Sequence, residues 1–267
     1  MEQTLEQYFQ KFRENIIGNH QLFASPYGEQ KLVYADWTAS GRCYLPIEEC
    51  FQNEIMPFVA NTHTETTVTG TLMTKAYEQA KHIVKQHVHA GEEDVLIFTG
   101  SGMTGAVNKL QRILGLKIPE RIMDYVQKER LPDADKPENN LVSIHKIFSE
   151  YLQLDDELKP IIFVTHMEHH SNQTTWLETI ATVEIIKMDD NGNVDLQHFK
   201  ELLEKYKHRK NKAAAITGCS NVTGIQTPYH EIAKLIHAYD GLCFVDFACS
   251  APYIAVSYTH LTLPTIY

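Results

Sequence analysis

The order of apolar and polar residues along the chain predicts an alternation of strands and helices. Short apolar runs predict strands over residues 31–35, 95–99, 161–165, 182–187, 213–217 and 242–246. Apolar residues at helical spacing predict helices over residues 3–17, 46–56, 70–88, 104–114, 172–180, 195–208 and 228–239. Strands that alternate with helices in this way indicate an α/β fold, with a mainly parallel sheet covered by helices on both faces.

The same pattern predicts how the chain is divided. Residues 115–158 are the least regular part and are interrupted by three prolines, so we predict an insertion with one or two helices, one of them over 141–153. We expect an N-terminal helical segment over residues 1–30 and a large α/β domain over residues 31–256 that contains this insertion. Residues 257–267 continue none of these patterns, and we expect them to be a non-native tail.

Composition limits the kinds of partner that the chain can have. It has 267 residues, 43% of them hydrophobic, and a formal net charge of −10 at pH 7. A negative chain disfavours nucleic acid and anionic membranes as partners, and no apolar run is long enough to span a bilayer. Five scattered cysteines and a polar N-terminal sequence predict reduced thiols, no signal peptide and a cytoplasmic location.

A glycine-rich turn follows the predicted strand 95–99 and leads directly into the helix predicted at 104–114. Closely spaced glycines in this position are typical of an anion site, because backbone N–H groups can approach a phosphate there. Gly100, Gly102 and Gly105 also match the G-x-G-x-x-G pattern, so a nicotinamide or flavin dinucleotide is an alternative. That pattern normally opens the first βαβ unit and is followed by an acidic residue at the next strand end, and neither condition holds here. A tight turn that binds no ligand is a further alternative.

Polar side chains follow several of the predicted strands. Residues 166–172, which include three histidines, follow one strand, residues 218–224 follow another, and Asp246 ends the last. Ligands of parallel sheets bind at the carboxyl ends of the strands. These imidazole, amide and carboxylate groups are therefore expected to meet the glycine turn in one crevice.

Each of these groups has more than one interpretation. The histidines lack H-E-x-x-H spacing and the cysteines do not form C-x-x-C pairs, so we predict no metal site. An imidazole at a strand end can stack on a flat cofactor ring, transfer a proton, or serve the structure alone. A buried carboxylate such as that of Asp246 can cap a helix, form an internal ion pair, or pair with a cationic ring nitrogen.

Six short segments, taken together, favour one enzyme family. They lie at residues 34–41, 61–63, 98–108, 168–172, 220–224 and 245–246, in family order. Together they resemble the class V aminotransferase superfamily of enzymes that depend on pyridoxal 5'-phosphate (PLP), which includes cysteine desulfurases and selenocysteine lyases. The resemblance implies the large domain of the fold type I PLP-dependent transferases, with a sheet of the seven-stranded type that is incomplete at the C-terminus.

The resemblance implies that three residues at the glycine turn bind the cofactor phosphate. Backbone N–H groups of Gly102, Met103 and Thr104 would point at the phosphate, together with the Thr104 hydroxyl. The first N–H groups of a helix have no partner within it and carry partial positive charge, which suits this role.

The resemblance also implies that three residues hold the cofactor ring. His169 would stack on the pyridine ring, and Asp246 would keep the pyridine nitrogen protonated, so that the ring accepts electrons. The amide of Asn221 would lie near the ring oxygen and the substrate carboxylate. We therefore predict His169 and Asp246 as catalytic residues, an amino acid as the substrate, and a homodimer for the whole enzyme.

Some positions depart from the desulfurase pattern. Gly105 stands where desulfurases commonly carry Glu, and Cys249 stands where Gln is usual. No cysteine can be identified as the desulfurase nucleophile. The reaction type therefore stays open among desulfuration, selenocysteine cleavage, transamination and other eliminations.

The lysine that would bind PLP covalently is expected beyond a further strand after Asp246, whereas the last lysine of this sequence is Lys234. We therefore expect a C-terminally truncated domain that lacks this lysine and is inactive or nearly so, while its complete parent is a PLP-dependent enzyme. A non-catalytic protein with the same fold is the alternative.

Overall fold

The structure, a computed structural model, describes residues 4–37, 40–117, 119, 159–251 and 253–254. The chain divides into two compact units, residues 1–96 and 97–267. The helix predicted over 141–153 and the tail predicted over 257–267 lie outside the described residues, so both stay predictions.

The helices predicted in the first unit are confirmed. They are α1 (Leu5–Glu14), α2 (Leu45–Cys50), which continues into a π-helical turn (Phe51–Ile55) and a 3-10 turn (Met56–Phe58), and α3 (Val68–His87). Side-chain caps define two of their starts. The Thr4 hydroxyl accepts a hydrogen bond from the Gln7 N–H at 3.3 Å, and the Thr67 hydroxyl accepts one from the Gly70 N–H at 3.1 Å.

The first unit also contains an antiparallel hairpin of β1 (Leu22–Ser25) and β2 (Gly28–Lys31). The strand predicted over 31–35 is therefore wrong except for its first residue. The chain reverses before the apolar run begins, and Gly28 adopts a φ of 92° at this reversal. The ladder consequently pairs the polar residues before the run, which the apolar pattern did not indicate.

The second unit contains the predicted parallel sheet. Its elements are α4 (Met103–Ile113), β3 (Ile161–Thr165), α5 (His170–Leu177), β4 (Thr182–Ile186), α6 (Leu196–Lys205), β5 (Lys212–Thr217), α7 (Tyr229–His237) and β6 (Leu242–Asp246). The strands lie in the order β4-β3-β5-β6 and all pairs are parallel. The carboxyl ends of these four strands therefore share one edge.

Helices cover both faces of this sheet, because successive strand residues point to opposite sides. The core on one face includes Phe163, Val245, Phe199 of α6 and Ile232 of α7. The core on the other face includes Val164, Phe244, Val107 of α4 and Trp176 of α5. Between them, the interior strand β5 carries three consecutive buried alanines, Ala213, Ala214 and Ala215.

The strand predicted over residues 95–99 is wrong. These residues form no strand, and the side chains of Val95 and Ile97 are 83% and 56% exposed. An apolar run becomes a strand only when a neighbouring strand accepts and donates its hydrogen bonds. No strand of the described residues pairs with this run. The glycine turn and α4 nevertheless follow it as predicted.

Candidate cofactor site at the carboxyl edge of the sheet

The glycine turn at the start of α4 is closely packed. Gly100 has a φ of 63°, in the left-handed region that favours glycine. A Cβ built on Gly105 would lie only 3.3 Å from the Gly100 Cα. Gly102 is the N-cap of α4, and its carbonyl accepts hydrogen bonds from the N–H groups of Gly105 and Ala106 at 3.0 and 3.3 Å.

The amino end of α4 has N–H groups that can take an anion. Within the described part of the chain, no acceptor is recorded for the N–H groups of Met103 and Thr104. The Thr104 side chain is exposed, and a Cβ built on Gly102 would meet no atom within 4 Å. Gly102 and Thr104 therefore border open space, while the Met103 side chain is buried, at the positive end of an eleven-residue helix.

The contacts between α4 and α5 include two side-chain hydrogen bonds. The Ser171 hydroxyl lies 3.8 Å from the Met103 sulfur, and the Gln111 side-chain amide donates to the Thr175 hydroxyl at 3.1 Å. The first contact lies at the amino ends of both helices. It brings the predicted phosphate-binding turn close to the predicted ring-binding histidine, which is two residues before Ser171.

His169 is the N-cap of α5 and its side chain is exposed. Its Nδ1 accepts a hydrogen bond from the Ser171 N–H at 3.2 Å and lies 2.8 Å from the Ser171 hydroxyl oxygen. Because a backbone N–H can only donate, Nδ1 acts as an acceptor, and a neutral imidazole then carries its proton on Nε2. The local fold thus fixes both the ring and its tautomer.

Asp246 ends β6 and is 6% exposed. Its Oδ1 accepts a hydrogen bond from the Ala248 N–H at 2.9 Å, and no partner of Oδ2 is recorded among the described residues. Burial raises the pKa of Asp246, while the Ala248 N–H and the charge of His169 lower it. The carboxylate and the imidazole therefore lie close enough to interact electrostatically.

Asn221 lies in the turn that follows β5, at the same edge of the sheet. The turn is held by Ser220, whose hydroxyl accepts hydrogen bonds from the N–H groups of Val222 and Thr223, each at 3.3 Å. Asn221 is half-buried, and no contact from its side chain to His169 or Asp246 is recorded. Its predicted role rests on its position at this edge alone.

Glu168 is a site residue for which the sequence suggested no role. Its carboxylate accepts hydrogen bonds from Thr165, Thr217 and Asn172. Burial raises the pKa of Glu168 to about 7, and these hydrogen bonds lower it in part. Its place directly before His169, in the segment 168–172, was the only available signal.

The cysteines near the site are poor nucleophiles. Burial raises the pKa of both Cys243 and Cys249 to about 12, and the Cys249 thiol donates to the Cys219 carbonyl at 2.9 Å. A thiol with so high a pKa holds almost no thiolate at neutral pH. In the residues that the structure describes, no group of three metal-ligating side chains is found, and no helix is both long and apolar enough to cross a membrane.

Comparison with known proteins supports one enzyme family. The sequence profile described as "Aminotransferase class-V" matches residues 143–263. This match supports the resemblance of the chain to the class V aminotransferase superfamily. PLP is the cofactor of this superfamily, and its large domain is the α/β fold with a parallel sheet that the second unit shows in part.

Curated proteins with similar sequences include several named cysteine desulfurases. A "probable cysteine desulfurase" of Halalkalibacterium halodurans is 26% identical over 86% of this chain and 47% of its own length. A cysteine desulfurase of Haloferax volcanii is 36% identical over 36% of this chain and 23% of its own length. The chain thus spans about half the length, or less, of these curated relatives.

Solved structures share the fold. The apo structure of a cysteine desulfurase from Thermococcus onnurineus has a TM-score of 0.65 at 20% identity, covering 94% of this chain and 50% of that one. A NifS-like protein from Rickettsia africae has a TM-score of 0.60 at 16% identity, covering 87% of this chain and 52% of that one. At this identity the likeness concerns the fold.

The residues at the carboxyl edge suit the family's cofactor. PLP has an anionic phosphate at one end and a ring nitrogen that can carry a proton at the other. The open space at Gly102 adjoins N–H groups that can take an anion, and the buried Asp246 carboxylate has one oxygen without a recorded partner. Both features match what PLP requires of a site.

Proposed function

We propose that the carboxyl edge of β3, β5 and β6, with the amino end of α4, is the PLP site of an enzyme that acts on an amino acid. The single observation that carries this proposal is the buried Asp246 carboxylate at a strand end, which has one oxygen without a recorded partner among the described residues and lies within electrostatic range of the His169 imidazole. A buried carboxylate is costly without a positive partner, and a protonated ring nitrogen would supply one.

The phosphate of PLP would be held at the glycine turn. The N–H groups of Gly102, Met103 and Thr104 and the Thr104 hydroxyl would donate to its oxygens, and the α4 dipole would favour its charge. These contacts need no cationic side chain, which suits a turn made largely of glycine.

The ring of PLP would be held by His169, Asn221 and Asp246. When bound, PLP supplies an electron sink for bonds at the substrate Cα. Asp246 would hold a proton on the ring nitrogen, His169 would face the ring with Nε2 protonated, and the Asn221 amide would offer a hydrogen bond to polar groups of cofactor or substrate. His169 and Asp246 are thus the proposed catalytic residues.

The substrate proposed for the whole protein is an amino acid, and cysteine is the first to test because the curated relatives are named cysteine desulfurases. The thiols of Cys243 and Cys249 are unsuited as sulfur acceptors at neutral pH, since burial raises both pKa values to about 12. Any thiol nucleophile of a desulfurase reaction would therefore be a different one.

We propose that residues 1–267 by themselves hold PLP without a covalent bond and turn over little or no substrate. The support is that no lysine follows Lys234 in this sequence, so none follows the β6 strand end at Asp246. Homodimer formation and a cytoplasmic location are proposed as well, the first from the family resemblance and the second from cysteines that are all free.

A titration with PLP tests the proposed site. Binding is followed by PLP absorbance and by quenching of tryptophan fluorescence, for the purified chain and for Asp246→Asn. We expect the chain to bind PLP and the variant to bind at least about tenfold more weakly, as the loss of one charge-assisted contact predicts. Equal binding by both proteins, or no binding by either, would refute the proposal.

Reduction with borohydride tests the absence of a covalent link. Treated protein is digested and searched by mass spectrometry for a lysine that carries reduced PLP. We expect no lysine to be modified in stoichiometric amount at low PLP concentration. A single lysine modified stoichiometrically would show that this chain supplies its own covalent partner.

A further inference from the structure

The Glu168 carboxylate is surrounded by hydrogen-bond donors from three structural elements. Its Oε1 accepts from the Thr165 N–H at 3.2 Å, the Thr165 hydroxyl at 2.5 Å and the Thr217 N–H at 2.9 Å. Its Oε2 accepts from the Asn172 side-chain amide at 2.7 Å. All four donors are neutral, and no cationic side chain of the described residues forms an ion pair with this carboxylate. The charge is thus solvated by hydrogen bonds alone.

The donors lie where the candidate site is assembled. Thr165 is the last residue of β3, and Thr217 is the last residue of β5, paired in register with Asp246. Asn172 lies in the first turn of α5. One carboxylate therefore joins the carboxyl ends of two strands to the amino end of the helix that His169 caps.

His169 follows Glu168 directly in the chain. Because four hydrogen bonds fix the Glu168 side chain, they also fix the peptide unit from which the imidazole projects. We propose that Glu168 is a positioning residue that sets the His169 imidazole relative to Asp246. This inference rests on the proposed PLP-binding role of His169 and Asp246, and it assigns Glu168 no contact with the cofactor.

The four hydrogen bonds to Glu168 require both of its carboxylate oxygens to act as acceptors. A glutamine could keep its oxygen at the Oε1 position, but its amide would then face the Asn172 amide, and two donors cannot pair. Asn172 cannot simply reverse its amide, because its Oδ1 already accepts from the Trp176 indole N–H at 3.1 Å. The hydrogen bonds to Glu168 and Trp176 together decide which side-chain atom of Asn172 is the oxygen and which is the nitrogen. Glu168→Gln should therefore loosen the link to α5 with little change in volume.

A double-mutant cycle tests whether Glu168 acts through His169. The second variant is His169→Asn, which removes the ring but keeps a side-chain acceptor at the N-cap. We expect Glu168→Gln to raise the Kd for PLP about tenfold in the wild-type background and less than about twofold in the His169→Asn background. An equal effect in both backgrounds, or no effect in either, would overturn the proposal.

A compensating variant and a matched control sharpen the result. Adding Asn172→Asp to Glu168→Gln places a new acceptor opposite the new donor and keeps the net charge, so PLP affinity should return to within about threefold of wild type. Glu201→Gln, an exposed glutamate on α6, should leave the affinity unchanged. Failure of the compensating pair, with the protein folded by circular dichroism, would contradict the proposed donor–acceptor match.

A measurement without PLP separates this inference from the proposed function. Imidazole signals in ¹⁵N-histidine NMR spectra are assigned with His169→Asn. We expect Glu168→Gln to shift the His169 signals and leave those of the exposed His208 in place. If wild type binds no PLP, the proposed function fails, while the His169 shift still decides the positioning role. An unmoved His169 signal would overturn that role.

Should Glu168→Gln fail to fold, Thr165→Val offers a milder change. It removes the hydroxyl that donates to Oε1 and accepts from the Met167 N–H at 3.3 Å, and it nearly preserves the shape of a fully buried side chain. We expect a smaller shift of the His169 signals in the same direction. Unchanged His169 signals would contradict the proposal.

Discussion

Gly105 lies directly against Gly100 at the start of α4. A Cβ built on Gly105 would approach the Gly100 Cα to 3.3 Å and the Thr99 carbonyl oxygen to 3.5 Å. Both partners are backbone atoms, which cannot move aside as the end of a flexible side chain can. This contact gives a physical reason why the chain carries glycine where desulfurases commonly carry Glu.

Replacement of Gly105 by alanine should therefore destabilise the protein, although alanine is the better helix former. We expect Gly105→Ala to lower the free energy of unfolding by about 1 kcal/mol, because the crowded turn outweighs the gain in helix propensity. Urea unfolding followed by circular dichroism measures it. A gain in stability would show that the two glycines are not tightly packed.

The matched variant Gly102→Ala should behave differently. The new Cβ meets no atom within 4 Å, and the φ of 177° suits any residue, so the free energy of unfolding should fall by less than about 1 kcal/mol. The methyl group would occupy the space beside the free N–H groups. We expect PLP affinity to fall about tenfold in a fluorescence titration, and unchanged affinity would mean that the phosphate binds elsewhere.

The stability of the protein should fall as the pH rises towards neutral. Burial raises the pKa of Glu168 from 4.5 to about 7, so between these values the folded state binds more protons than the unfolded state. The free energy of unfolding then decreases with rising pH across this window, by about 3 kcal/mol in total for this group, and is constant above it. The raised pKa of Asp246 acts in the same direction and the lowered pKa of His237 in the opposite one.

Urea unfolding at pH values from about 4.5 to about 8 tests this dependence. Glu168→Gln should flatten the slope, and Glu201→Gln should leave it as in wild type. A slope that persists in Glu168→Gln would assign the pH dependence to other groups.

Trp176 should contribute strongly to stability. Its ring is fully buried, lies nearly parallel to Phe244 with centroids 6.2 Å apart, and donates its N–H to Asn172. Trp176→Phe should lower the free energy of unfolding by about 1–3 kcal/mol, since it leaves a void and a buried acceptor without its donor. Trp37→Phe, at a side chain 40% exposed that keeps an aromatic ring against Tyr34, should lower it by less than Trp176→Phe does. Equal losses for both variants would contradict this difference.

The sequence predicted the second unit well because its strands are buried on both faces. The runs at Ile161–Thr165 and Leu242–Asp246 are apolar up to their last residue and have the predicted bounds. The run at 95–99 is equally apolar, but strand formation depends on a partner that no local pattern reveals. The helix bounds were less exact, because caps such as Thr67 decide where a helix starts.

The candidate site was predictable where a residue acts through its place at a strand end. His169 and Asp246 follow buried strands, so sheet topology alone brings their positions together. Glu168 was missed because its proposed positioning role depends on the Thr217 N–H, 49 residues away in sequence. Nearly every residue type has the same backbone N–H donor. The residue type at position 217 therefore does not show that its N–H pairs with Glu168. The roles of all these site residues stay predictions, namely those of His169, Asn221, Asp246, Gly102, Met103 and Thr104.

The three buried alanines of β5 leave no room for larger side chains. Ala214 and Ala215 face opposite cores and are fully buried, so a larger residue at either position would push a helix layer outward. Any shift of β5 along its axis would carry Thr217 and the turn at Asn221 with it. Substitution of these alanines is therefore a way to alter the candidate site without changing any residue of the site itself.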